Sequence, residues 1–212
     1  MVDCPREQEL VKSALRRNDI DWNDLKRCCD QIILFGSSTL TSFRSPSDID
    51  LLCVGEGARL KRREVDLVWI SMPAIRSQAW LGSELANHVA RFGIWLHGSD
   101  DWSHRVFVSA RAINRKHRSI IARRRGLERL WRTLRSEYRE KHLLKLRRDI
   151  QRLWMLNAST PVEPAPLLDR RWQEECRGAS DLRVLLGHRY AGILPRNELR
   201  SIGELLGRRR KS

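Results

Sequence analysis

At 212 residues and a net charge of +15, the chain is long enough for one large domain or two small ones, each with its own core. No apolar run approaches the roughly 20 residues that cross a bilayer, and the polar start, with Asp3, Cys4 and Pro5, does not read as a signal peptide, so a cytoplasmic location is expected. Five cysteines (Cys4, Cys28, Cys29, Cys53, Cys176) contain no Cys-x-x-Cys pair and the histidines no His-Glu-x-x-His spacing, which suggests neither structural zinc nor a disulfide framework.

In chain order, residues 6–30 predict a helix leading into a first strand, with Leu10, Val11, Ala14 and Leu15 on one face and a break near Asn18-Asp19. Apolar, partly branched runs predict strands near 31–35, 49–54 and 65–70, and Ile94-Trp95-Leu96 closes the set. Between them, residues 75–92 read as one helix, because Trp80, Leu81, Leu85, Val89 and Phe92 recur at spacings of three and four. The first half is therefore mixed α/β.

From Arg118 onward the pattern becomes long helix, with Leu127, Leu130, Trp131, Leu134 and Tyr138, then Leu143, Leu146, Ile150, Leu153 and Trp154, opposite an almost wholly charged face. Pro161, Pro164 and Pro166 end that helix and form a stiff linker. Helical stretches follow near 167–177 and 180–206, Pro195 starts the last one, and Arg208-Arg209-Arg210-Lys211 forms a frayed tail.

The chemistry concentrates in three short segments. Asp48 and Asp50 are two residues apart at the start of Ile49-Asp50-Leu51-Leu52-Cys53-Val54, so on an extended strand both carboxylates share a face. Val65-Asp66-Leu67-Val68 reads as a second strand, and the intervening Gly55, Gly57, Lys61, Arg62 and Arg63 as turn and solvent residues, which predicts a hairpin. If that hairpin is symmetric about Ala58, Asp66 lies directly opposite Asp50. Like charges that close push a pKa upward, and a hard divalent cation resolves the conflict. Gly36-Ser37-Ser38 follows the strand Gln31-Ile32-Ile33-Leu34-Phe35, where glycine lets backbone N–H groups approach an anion and serine adds hydroxyl donors.

Gly36-Ser37, Ser47-Asp48-Ile49-Asp50-Leu51 and Val65-Asp66-Leu67-Val68 together resemble the nucleotidyltransferase superfamily typified by DNA polymerase β and the kanamycin-type enzymes, most nearly its minimal members. Residues 84–98 resemble the helix, Gly turn and closing strand of that domain. The resemblance implies a small mixed-sheet catalytic domain over residues 1–110 and a basic helical C-terminal domain over 111–212. It implies that Asp48 and Asp50 hold two Mg²⁺ ions, that Asp66 binds the catalytic metal or takes the acceptor's proton, and that Gly36, Ser37, Ser38, Arg44 and Ser47 bind a nucleoside triphosphate such as ATP. Many relatives carry Arg and then Gly after the Gly-Ser, where this chain has Ser38-Thr39-Leu40-Thr41-Ser42-Phe43, with Arg44 standing close to an arginine that many keep. The acceptor is left open between a small hydroxyl compound, a protein hydroxyl and an RNA end. An antitoxin-like or regulatory protein of the same fold, acting on or binding a partner protein, is a second reading, and a nucleic-acid-binding, end-modifying protein a third.

The charge is unevenly placed. Residues 1–110 carry 14 basic and 15 acidic groups, whereas residues 111–156 carry 16 basic and 4 acidic, a net +12. Such a field attracts polyanions, so nucleic acid is a possible partner through 111–156. Arg outnumbers Lys 34 to 7, a bias that GC-rich coding alone can impose, and a charged helical face can equally be a solvated one.

Overall fold

The computed structural model describes residues 5–40, 48–177, 179 and 181–207. The basic tail 208–211 lies outside them. The chain divides into two compact units, Met1–Val108 and Ser109–Ser212.

The first unit is a five-stranded mixed sheet between two helical layers. Helices α1 (Pro5–Arg17) and α2 (Trp22–Cys28) lead into β1 (Cys29–Phe35), and the break between them is set by Asp21, whose carboxylate accepts from the N–H groups of Asn23 and Asp24 as an N-cap. Strands β2 (Ile49–Gly55), β3 (Leu60–Lys61), β4 (Val65–Ile70) and β5 (Ile94–His97) complete a sheet of order β3-β4-β2-β1-β5.

β2 and β4 run parallel, which corrects the expected antiparallel hairpin. The physical reason lies in the linker: after β2 the chain crosses to the sheet edge, runs back as β3, and turns tightly into β4, the turn closed by Arg62 N–H donating to the Val65 carbonyl at 2.8 Å. The hairpin is therefore β3–β4, with Lys61 opposite Asp66, and a two-residue strand has no periodicity by which a sequence could announce it. Asp50 still faces Asp66, because Ile49, Asp50 and Leu51 pair in step with Val65, Asp66 and Leu67.

Alternation sorts the strands onto two cores. Ile32, Leu34, Ile49, Leu51, Cys53, Val65 and Leu67 pack with Val11, Ala14, Leu15 and Leu25 of α1 and α2. Ile33, Phe35, Leu52 and Val54 pack on the other face with Ile75, Leu81, Ala86, Val89 and Trp102. Burial of each Val, Leu, Ile or Phe side chain among them contributes about 1.5–3 kcal/mol, so the sheet is anchored from both sides.

The single helix expected over 75–92 is three short ones, α3 (Met72–Ile75), α4 (Gln78–Leu81) and α5 (Glu84–Phe92). Ser77 and Ser83 cause the breaks: each hydroxyl accepts an N–H three residues on, from Trp80 at 3.2 Å and Ala86 at 3.0 Å, and so starts a new helix.

The second unit is all helical: α6 (Ala110–Leu130), α7 (Ser136–Asn157), α8 (Ala165–Glu175), α9 (Leu182–Arg189) and α10 (Arg196–Gly207). The expected long helix is interrupted after Leu130, where the Thr133 hydroxyl donates to the Leu130 carbonyl at 3.0 Å and satisfies a helix-end acceptor. Ile120, Leu127, Leu146, Ile150, Leu153, Leu186, Leu199 and Ile202 form its core. No helix among the described residues is long and apolar enough to cross a membrane.

Candidate active site

The site gathers where β1, β2 and β4 meet. In β2, Asp50 shares its face with Leu52 and Val54; in β4, Asp66 shares the same face with Val68 and Ile70. Paired residues on adjacent strands lie about 4.7–4.9 Å apart in the pairing direction, so these two carboxylates are neighbours. Across the other edge of β2, Asp50 pairs with Phe35, the last residue of β1.

The next residue, Gly36, opens a 3₁₀ turn, Gly36–Thr39, with a φ of +81° that L side chains rarely adopt. A Cβ placed there would stand 2.4 Å from Asp50 Oδ2. Only glycine can hold the backbone this close to the carboxylate. Ser38 is buried in that turn and its hydroxyl donates to the Asp48 carbonyl at 2.7 Å, which ties the turn to the start of β2. Ser37 is half-buried and Asp48 exposed.

In its overall course the chain is similar to a solved spectinomycin adenyltransferase, AAD(9) from Enterococcus faecialis, crystallised with ATP and spectinomycin, at a TM-score of 0.50 and 16% identity over 97% of this chain and 99% of that one. The chain has a nucleotidyltransferase fold. No protein-family model and no curated protein matches the sequence.

Within this nucleotidyltransferase fold the two central carboxylates are in opposite electrostatic states. Asp50 is pushed up to about 6, first by burial and then by the charges of Asp66 and Asp48, with Lys61 and Arg59 pulling the other way. Asp66 is held below the usual carboxylate range, chiefly by its hydrogen bonds from Arg59. Arg59 Nη2 lies 2.8 Å from Asp66 Oδ2 and Nε 3.3 Å from Oδ1, while Lys61 Nζ stands 3.5 Å from Oδ2.

This bears on the metal. Asp48 and Asp50 supply hard oxygen donors beside a glycine cradle, and the burial and the neighbouring charges of Asp66 and Asp48 that lift Asp50 are what a divalent cation offsets, so they suit Mg²⁺ with one or two carboxylates. Asp66 is committed to Arg59 and Lys61, and among the described residues no three His, Cys, Asp or Glu side chains are gathered so as to hold a metal ion.

Lys61, expected in solvent, and Arg59, which no motif marks, both reach Asp66. The signal was available only in the β3–β4 register, which brings Lys61 opposite Asp66 and Arg59 just outside it. Arg44 and Ser47, expected to contact nucleotide, lie outside the described residues. Asp48 also borders a cleft of about 450 Å³ walled by Leu10, Ala14, Arg17, Ile49, Arg63 and Glu64, but neither Asp50 nor Asp66 lines it.

Proposed function

We propose that this chain is a Mg²⁺-dependent nucleotidyltransferase of the minimal, kanamycin-like kind, which moves a nucleoside monophosphate from a triphosphate to an acceptor hydroxyl and releases pyrophosphate. The observation that carries this reading is the meeting of Gly36, Asp50 and Asp66 at one end of the sheet, with backbone held against a carboxylate as only glycine allows.

In this reading the Gly36–Thr39 turn receives the triphosphate tail, with Ser37 as its hydroxyl donor, while Ser38 keeps the turn fixed to β2. Asp48 and Asp50 would hold Mg²⁺, which supplies charge neutralisation for the phosphates. Asp66, one strand from Asp50, takes the proton of the attacking hydroxyl once Arg59 has moved off it, because the pairing that keeps the carboxylate ionised also weakens it as a base. The acceptor oxygen bonds to the α-phosphorus as the bond to the bridging oxygen breaks, and pyrophosphate carries away that electron pair. Positioning and electrostatics carry most of such catalysis.

The structurally similar adenyltransferase was solved with ATP and spectinomycin. ATP is therefore our first donor, and a small polyhydroxylated compound our first acceptor class. The deciding experiment is a thermal-shift panel of the four triphosphates with and without Mg²⁺, followed by transfer of an α-labelled nucleotide to candidate acceptors in wild type, Asp48→Ala and Asp50→Asn. A Mg²⁺-dependent shift with at least one triphosphate, and loss of transfer in folded variants, is expected. Unchanged transfer in those variants would reject the assignment.

A further inference from the structure

Within the 16 basic residues of 111–156, which give a net +12, two sets have different fates. One set points inward and is neutralised. Lys116 and Arg123 pair with the buried Asp149 at 3.0 and 3.3 Å, Arg124 with the buried Glu198 at 2.6 Å, and Arg147 and Arg148 with Asp169 at 2.6 and 2.5 Å.

The other set is a stripe. Arg111, Arg115, Arg118, Arg125 and Arg129 are all exposed on α6. At 100° per residue they fall within a wedge of about 80°, opposite the buried Ile120 and Leu127. Among the described residues none of the five makes an ion pair with a carboxylate; Arg118 donates to the Asn114 carbonyl at 3.4 Å. Glu128, the acid nearest the stripe in sequence, is engaged by Arg124. Arg132 and Arg135, also exposed, extend the run beyond the helix end.

We infer that this face of α6 is a binding surface for the sugar–phosphate backbone of a nucleic acid. The stripe is linear and single-signed, and from Arg111 to Arg129 it runs about 27 Å at 1.5 Å per residue, comparable with about eight base pairs of duplex at 3.4 Å per phosphate on each strand. Guanidinium groups are suited to phosphate oxygens because their forked donors bind two at once.

Two other partners fit less well. A membrane-surface helix needs an apolar face to insert, and the apolar face of α6 is already in the core with Ile120 and Leu127 buried. A protein partner is expected to bring anchors that fill apolar pockets, and the stripe offers none. The inference stands apart from the nucleotidyl-transfer reading, since it concerns binding alone.

The test uses the full-length protein and fluorescently labelled 20-mers of single-stranded RNA, duplex RNA and duplex DNA, with affinity followed by anisotropy from 50 to 300 mM salt. Vesicles of anionic lipid form a parallel arm. In the stripe variant Arg115, Arg118, Arg125 and Arg129 become Gln; in a matched control Arg6, Arg16, Arg91 and Arg196, exposed elsewhere, become Gln.

Wild type is expected to bind at least one nucleic acid, and the tightest of the three identifies the form recognised. The stripe variant should lose at least tenfold in affinity and about three from the slope of log K against log salt, at about 0.7–0.9 per phosphate contact. A stripe of four Lys in place of the same arginines should keep most of the slope, which separates lost charge from lost folding. An equal loss in the control variant would mean diffuse charge attraction and would overturn the assignment. So would absence of binding at 50 mM salt, or binding to vesicles alone.

Discussion

Arg59 lies across the carboxylate of Asp66, with Nη2 2.8 Å from Oδ2 and Nε 3.3 Å from Oδ1, so that a side chain from the edge of the sheet supplies the positive charge beside the carboxylate cluster. The Arg59 side chain is 66% exposed while that of Asp66 is buried, so the arginine can swing out to water and leave the carboxylate in place. In the reading proposed above, Arg59 thus opposes by its like charge a Mg²⁺ ion held by Asp48 and Asp50.

Arg59→Gln should expose that opposition. Removing the arginine leaves the buried Asp66 carboxylate without its main partner, and the affinity for Mg²⁺ together with nucleotide should rise about three- to tenfold. Titration of the purified variant by calorimetry measures it. A tenfold fall instead would show that Arg59 serves the phosphates and would sink that idea.

Gly36→Ala tests the cradle. The added Cβ meets Asp50 Oδ2 at 2.4 Å, and alanine must adopt a φ of +81°. Strain and displacement together should cost about 2 kcal/mol in denaturant unfolding, and the Mg²⁺-dependent nucleotide shift should vanish although the fold persists by circular dichroism. A variant of wild-type stability and undiminished shift would mean that the turn is not held against the carboxylate.

Asp50 makes the unliganded protein pH-sensitive with a defined sign. Its carboxyl is raised to about 6 by burial and by Asp66 and Asp48, so the protonated form is favoured in the folded state. That stabilisation is full below the unfolded value, near 3.9, and is lost as pH rises through about 6. Asp50→Asn removes the ionisation. In metal-free buffer the variant should exceed wild type by about 2–3 kcal/mol at pH 7.5, from about 1.4 kcal/mol per unit, and match it at pH 4. An advantage of equal size at both pH values would contradict this origin.

The legible part of the site was the part written in strands. Asp50 and Asp66 sit in apolar runs whose alternation fixes their face, and they oppose each other in the parallel register as they would have in a symmetric hairpin. The direction of pairing was hidden, because Leu60 and Lys61 are too few to show a period and yet they reroute the chain. The helix breaks at Ser77 and Ser83 were masked by the continuous spacing of Trp80, Leu81, Leu85 and Val89, which tertiary packing exploits across three short helices. Charge counting located the basic half of the chain but could not separate Arg124, turned to Glu198, from Arg125, turned to solvent.

That last contrast supports a stability prediction. Glu198 of α10 is buried and receives two hydrogen bonds from Arg124 of α6, at 2.6 and 3.0 Å, while Arg124 also reaches Glu128. Removing one partner strands a desolvated charge, so Arg124→Met should cost about 3–5 kcal/mol. Glu198→Leu should cost less, because Glu128 still satisfies the arginine. In the double variant both charges leave the interior and apolar packing replaces them, so its loss should be well under the sum of the two, with a coupling of about 1–3 kcal/mol. Urea unfolding of the four proteins closes the cycle. Additive losses would show that the pair is solvated rather than buried, and that α6 and α10 are joined by their apolar faces alone.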